Sequence, residues 1–264
     1  MSSYAASLGR SPFWTWLRGI APYPKLLAWC HTTDAFALRE ILRTGSFRLT
    51  PCPVFREDLL YFFYGRPAYR FAEENSLYLS SKAPVVIMLS PEFVLQGTRM
   101  FPFDTGAFSA KRFAIWMHDS MKMSDFELEC PSDAPQRHVA SFFGSNIDYL
   151  RTRAHAPNID CTGEFEVESM IALLTDRDTR AADERRTALE LQTNKVVSAA
   201  YPAVRGLILP DELLKAAFIQ NFLAAAGSNI EVLTYPLELM KPAKEYQLFL
   251  EERAIQFQEK WGLV

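Results

Sequence analysis

Residues 25–51 read KLLAWCHTTDAFALREILRTGSFRLTP, and the fold can be worked outward from them. The apolar run at 25–30 predicts a short strand. Ala37, Leu38, Ile41 and Leu42 then fall on one face of a helix that starts at Thr-Thr-Asp and stops at Gly45. Phe47 and Leu49 alternate with Arg48 and Thr50, which predicts a second strand ended by Pro51. The opening unit is strand, helix, strand.

On the N-terminal side, residues 1–24 are apolar only in patches. Arg18, Pro22, Pro24 and Lys25 interrupt every run well short of the ~18 residues a membrane span needs, so this segment reads as an arm packed on the domain, without a secretory leader. On the C-terminal side, DLLYFFYGRPAYRFAEEN (58–75) predicts an aromatic strand running into Gly65, then a helix holding Tyr69 and Phe71. APVVIMLS (83–90) predicts a strand, and FPFDTGAF (101–108) a turn at Asp104, Thr105 and Gly106. Residues 131–153 read as helical, with Val139, Phe142, Phe143, Ile147 and Leu150 on one side and a break at Gly144. The last third reads as strands at EFEVESMIALL (164–174), TALELQ (187–192), RGLILP (205–210) and IEVLTY (230–235), with a helix at 211–226 and a charged helix at 244–261. Strands early and late with helices between them define an α+β class, as one domain with insertions.

Composition narrows the function classes. The 264 residues carry 31 acidic and 28 basic side chains, a net charge of −3, which gives no electrostatic footprint for duplex DNA. A chain this long buries roughly 70% of its extended surface, so neither disulfides nor a structural metal is required. Cys30, Cys52, Cys130 and Cys161 lie far apart, without metal-ligand spacing, and fit a reducing cytoplasm. Twenty Phe against 11 Gly speak for a packed sheet and against glycine-rich dinucleotide folds.

Three stretches stand out from packing: CHTT (30–33), YFFYGRPAYR (61–70) and EFEVES (164–169). In their order and spacing, over roughly residues 26–235, they resemble the ADP-ribosyltransferase superfamily, and the strand, His-Thr, helix, Gly opening resembles its DarT-like toxin transferases. The resemblance implies a split β-sheet core over residues 25–243 with a helical insertion at about 131–155, followed by a C-terminal helix at 244–264. It implies NAD as substrate and a possible role as a toxin or defence effector. Single-stranded DNA, RNA or protein would be the acceptor, with a possible antitoxin partner and no membrane.

The chemistry explains such residues. Cleaving the nicotinamide glycosidic bond develops an oxocarbenium-like ribose, which a neighbouring carboxylate stabilises. By the resemblance, Glu168 is the first choice for that carboxylate because it precedes the apolar run SMIALL, with Glu166 as a second acid of a Glu-x-Glu pair. The plainer reading of both is a charged strand edge. His31 would bond a ribose hydroxyl with Thr32 nearby, Tyr64 or Tyr69 would stack on nicotinamide, and Arg66 would clamp the pyrophosphate. Core packing of the tyrosines and an ion pair of Arg66 with Asp58 or Glu73 compete with these roles. Asp104 either closes an Asx turn or lines the acceptor or adenine side.

Glu190 is a further candidate acid, and with Gln192 it opens a rival. Asp176 followed by Glu190-Leu-Gln192 would be a degraded Mg²⁺-dependent restriction-type nuclease motif, with Gln in the Lys position. A third reading is a catalytically silent module of the transferase fold that binds a nucleotide. No motif of a zinc or serine hydrolase is present.

Overall fold

The structure, a computed structural model, describes residues 11–68, 77–176, 184–241 and 244–264. Helix α1 (Pro12–Leu17) buries Phe13, Trp14 and Leu17 and is capped by Ser11, whose hydroxyl accepts the Trp14 N–H and donates to the Glu127 carbonyl at 2.6 Å. Strand β1 (Trp29–Asp34) runs later than the apolar run at 25–30 suggested. Thr32 and Thr33 are β-branched and extend the strand, so the His-Thr-Thr sequence lies inside it rather than at its end. Helix α2 (Ala35–Thr44) follows as expected, with the Asp34 carboxylate accepting the Ala37 N–H at 2.7 Å and Gly45 at φ 69° ending it.

Strand β2 (Thr50–Cys52) begins where a strand was expected to end. Pro51 is tolerated there because β2 pairs only along one side, with β3 (Glu57–Tyr64). The helix expected around Tyr69 and Phe71 lies outside the described residues. Strand β4 (Pro84–Leu89) is where its apolar run predicts, and β5 (Arg99–Phe101) leads into the short α3 (Thr105–Ser109). Helices α4 (Ala134–Phe142) and α5 (Asn146–Leu150) are separated at Gly144, φ 73°, as the sequence reading has it.

Residues 164–174 correct the reading most. They form helix α6 (Phe165–Thr175), not a strand. Val167, Met170, Leu173 and Leu174 are buried at helical spacing, the segment is rich in Glu, Met, Ala and Leu, and Glu166 and Glu168 sit in the first turn where the helix dipole favours them. Strands β6 (Glu190–Thr193) and β7 (Val204–Pro210), helix α7 (Ala217–Ala226), strand β8 (Glu231–Tyr235) and helix α8 (Lys244–Lys260) complete the chain.

The strands form one mixed sheet in the order β5-β6-β3-β1-β4-β7-β8, antiparallel except for β7 and β8. Helices cover both faces. On one face Phe62, Ile87 and Leu207 meet α1, α2 and α4–α7; on the other, Met88 and Ile208 meet Tyr246, Leu250, Ala254 and Phe257 of α8. No described helix is long and apolar enough to cross a membrane.

The sheet is not evenly joined. Strand β1 pairs with β4 at five positions but with β3 only at Trp29↔Tyr64 and Cys30↔Phe63, after which β1 and β3 part like the arms of a fork. The closed end of the fork is stitched by side chains. Tyr64 Oη accepts the Leu27 N–H at 2.9 Å, Tyr149 Oη donates to the Tyr64 carbonyl at 2.9 Å, and Gln258 of α8 pairs with both backbone groups of Ala28 and with the Gly65 carbonyl.

One buried group opposes this packing. His138 of α4 is fully buried among Phe13, Phe142 and Phe143, and neither of its ring nitrogens has a hydrogen-bond partner. Desolvation pulls its pKa from 6.5 down to about 3, so the folded chain keeps it neutral where the unfolded chain would protonate it. Protons therefore favour the unfolded state as the pH falls from 6.5 toward 3. The melting temperature of His138→Leu is expected to rise relative to wild type as the pH is lowered through this window, and a gap that stays constant from pH 7 to 4 would refute the account.

Candidate functional site

Where β1 and β3 part, the Tyr61 carbonyl has no backbone partner on β1, and His31 Nδ1 meets it at 2.8 Å. The imidazole lies between Phe47 and Phe62, on the helix-rich face of the sheet. Burial lowers its pKa, so the ring stays neutral and donates from Nδ1. His31 therefore props the fork open from one face. The alternate residues of the same strands face the other way and line a cleft of about 320 Å³, toward the small end of ligand pockets, which run from roughly 300 to 1,000 Å³.

Thr32 of β1, Tyr61 and Phe63 of β3, Cys52 of β2, Asp104 and Glu190 line this cleft. The register explains the grouping: Phe63 lies opposite both Cys30 and Glu190, so their side chains share a face, and Tyr61 and Thr32 follow two residues on. Glu190 opens β6 and is fully buried. Its Oε1 accepts from the Thr105 hydroxyl at 2.7 Å and from Gln192 Nε2 at 2.6 Å, while Oε2 accepts from the Thr105 N–H at 3.3 Å. Asp104, 2% exposed, caps α3 by accepting the Ala107 N–H at 2.6 Å and lies beside Glu190. Desolvation first, and the Asp104 charge second, raise the Glu190 pKa from 4.5 to about 8 against the pull of its hydrogen bonds. Two buried polar atoms here, Thr32 Oγ1 and Gln192 Oε1, have no hydrogen-bond partner.

The residues singled out in the sequence divide sharply. Thr32 and Glu190 meet in the cleft, and Asp104 joins them while also capping its helix. Glu168 does not: it is exposed on α6, where its carboxylate accepts the Gly163 N–H at 3.0 Å and closes the helix start. Glu166 is half-buried on the same helical turn, and neither acid lines the cleft. Tyr64 is wholly buried with its hydroxyl on Leu27, so stacking on a ligand is not its role. Arg66 is 3% exposed and bonds Glu251 at 2.7 Å and Thr187, joining the end of β3 to α8; neither Asp58 nor a ligand is needed to explain its position. Tyr69 lies outside the described residues. Asp176 accepts the Trp116 Nε1–H at 2.7 Å at the end of α6 and does not line the cleft that holds Glu190. No cluster of metal-ligating side chains occurs among the described residues.

Tyr61, Phe63 and Thr105 were not singled out as ligand contacts. Strict alternation along YFFY would have separated Tyr61 and Phe63, which face the cleft, from Phe62 and Tyr64, which face the core. Thr105 gave no such signal.

In comparisons with known proteins, no family model matches the chain, and neither the curated proteins nor the solved structures give a match.

The raised pKa of Glu190 makes folding pH-dependent. The folded chain holds a proton that the unfolded chain loses above 4.5, so this group's contribution to stability is full below that pH and is lost as the pH rises to about 8. The stability of wild type relative to Glu190→Gln, measured by denaturant unfolding, is expected to fall between pH 5 and 8 and then level off. A difference independent of pH would mean that Glu190 is ionised throughout.

Proposed function

We propose that the chain is an NAD-dependent ADP-ribosyltransferase in which Glu190, not Glu168, is the carboxyl group beside the reacting ribose. One observation carries the reading: a fully buried Glu at the opening of β6 lines, beside the aromatic pair Tyr61 and Phe63 of the neighbouring strand, a cleft formed where the sheet forks. This is the arrangement that nicotinamide-glycoside cleavage needs. Aromatic side chains supply flat apolar contact for the pyridinium ring, and an acid held in a dry site acts on charge more strongly than one in water. The strands form one sheet rather than a split core, and what supports the resemblance drawn from CHTT and YFFYGRPAYR is the α+β architecture and Thr32 and Tyr61 in the cleft wall.

In this mechanism the C1′–N1 bond breaks and nicotinamide leaves with the electron pair, becoming neutral. The positive charge left on C1′ and the ring oxygen is stabilised by the Glu190 carboxylate. The acceptor's nucleophilic oxygen or nitrogen then bonds to C1′ and gives up its proton to the Glu190 carboxylate, which passes it to solvent. The hydroxyl and N–H of Thr105 and the amide of Gln192 hold the Glu190 carboxyl group in one orientation throughout. Thr32 Oγ1, buried in the cleft wall without a partner, is a ready hydrogen bond for a ribose hydroxyl. The DarT resemblance extends the reading to a toxin or defence effector acting in a reducing cytoplasm, with a nucleobase of single-stranded nucleic acid as acceptor.

Incubation with NAD labelled in its nicotinamide is expected to release label. Glu190→Gln should lower that rate by about 10²–10³, the usual cost of losing one charge-stabilising group, while Glu168→Gln leaves it within about twofold because Glu168 is exposed on α6. Loss of release in Glu168→Gln with a folded chain, or full release in Glu190→Gln, would overturn the assignment. NAD binding without any release would instead make the chain a nucleotide-binding module.

A further inference from the structure

Gln192 carries a cost that the packing of β6 does not explain. It is fully buried, and its Oε1 has no hydrogen-bond partner. A bare buried carbonyl opposes folding, and an apolar side chain of the same length would avoid the penalty. What the amide gives in return lies at its other end. Strand alternation puts Gln192 on the face of β6 that carries Glu190, opposite Tyr61 of β3, as Glu190 is opposite Phe63. Its Nε2 donates to Glu190 Oε1 at 2.6 Å and to Thr105 Oγ1 at 3.1 Å.

These bonds load the two oxygens of Glu190 unequally. Because the Thr105 hydroxyl accepts from Gln192, its own hydrogen is directed to Glu190 Oε1 at 2.7 Å. Oε1 thus receives two short bonds, which occupy both of its lone pairs. Among the described residues, Oε2 receives only the Thr105 N–H at 3.3 Å, longer than an ordinary N–H···O bond. Turning the amide over would set its carbonyl against the carboxylate and lose both donations. Glu190 lines the cleft, so the oxygen with lone pairs to spare belongs to a group that an entering ligand meets.

We propose that Gln192 is a positioning residue: with Thr105 it fills Glu190 Oε1 and so makes Oε2 the working oxygen, the one that stabilises the ribose cation and takes the proton of the acceptor. The inference rests on the proposed reaction and adds to it a division of labour within one carboxylate. As the acceptor's oxygen or nitrogen bonds to C1′, its bond to hydrogen breaks and the proton goes to Oε2, from which it passes to solvent. Oε1 keeps its two donors throughout. A carboxylate with both oxygens equally free could turn about its last bond and offer either one, at a loss of orientation in the reacting complex. Gln192 touches no ligand in this scheme, because it acts through Glu190.

The test combines turnover of NAD by the whole chain with a vibrational signature of Glu190. Gln192→Met keeps the length of the side chain and removes both donations. Its kcat for nicotinamide release is expected to fall by about 10–100-fold, the cost of a lost bond to a charged group, with KM within about twofold. Thr105→Val should fall similarly, and Thr105→Ser should recover to within about threefold of wild type. The double variant should lose little more than the worse single one, since both donors act on one oxygen. Infrared spectra, each recorded against the same chain carrying Glu190→Gln and followed down in pH until Glu190 protonates, isolate its C=O stretch. With the proton on Oε2 that carbonyl is Oε1, held low by two hydrogen bonds, and it should move to higher wavenumber in Gln192→Met and in Thr105→Val. An unchanged kcat in Gln192→Met, a loss confined to KM, or a carbonyl band that stays in place in both variants would overturn the proposal. The two readings fail separately: nicotinamide release with an unmoved band sinks only the Gln192 role, whereas a moved band in a chain that releases no nicotinamide sinks the enzymatic reading and leaves the anchoring of Oε1 standing.

Discussion

Everything at the site follows from β1 and β3 sharing only two residue pairs before they diverge. Each backbone group left without a ladder partner inside a protein must find another or cost on the order of 1–3 kcal/mol. Here the Tyr61 carbonyl is met by the His31 ring instead of by β1, which lets the strands separate without leaving that acceptor bare. Because the ring is wedged between Phe47 and Phe62, it cannot swing away, and the fork has a fixed opening. The same separation exposes the other face of Tyr61 and Phe63 to the cleft, so one histidine outside the cleft lining shapes the space in which a ligand would lie.

The opposite end of the fork is fastened with equal care. Tyr64 and Tyr149 form a relay in which the Leu27 N–H donates to Tyr64 Oη, Tyr149 Oη donates to the Tyr64 carbonyl, and the Leu189 N–H donates to Tyr149 Oη at 3.3 Å. Leu189 immediately precedes Glu190, so the relay also fixes where β6 begins and where its acid points. Gly65, at φ 71°, has an empty Cβ position within 2.6 Å of Leu27, so a side chain there would both strain the backbone and push the fork apart. Arg66, in turn, reaches Thr187 and Glu251. YFFYGR is thus a single segment with two tasks: Tyr64 and Arg66 fasten the closed end of the fork, while Tyr61 and Phe63 line it.

Much of the fold was legible because its signals are local. The cap at Asp34 and stop at Gly45 mark α2, the unbroken apolar run of 84–89 marks a strand buried on both faces, and Gly144 separates α4 from α5. The site was less legible, for identifiable reasons. EFEVES alternates at a period of two over six residues, which suggests a strand, while the burial that decides its structure, Val167, Met170, Leu173 and Leu174, recurs at helical spacing further on. A period of two places Glu168 at the opening of a strand, as the resemblance asks, whereas Glu190 is the acid that opens a strand beside the cleft. Tyr64 and Arg66 were drawn toward a ligand by their place beside Gly65, but their partners are 37 and 185 residues away in the chain, and no local pattern announces a pair of that range.

Gln258 gives the fork a dependence in time as well as in space. It accepts from the Ala28 N–H and donates to the Ala28 and Gly65 carbonyls, filling the place of a strand neighbour with a side chain from 230 residues away. While the chain is being made, β1 and β3 exist long before α8, and until residue 258 has left the ribosome the hinge of the fork has no clasp. Each molecule therefore acquires its finished cleft only once α8 has been made, and a nascent chain that stalls before α8 carries the lining residues without the frame that aligns them.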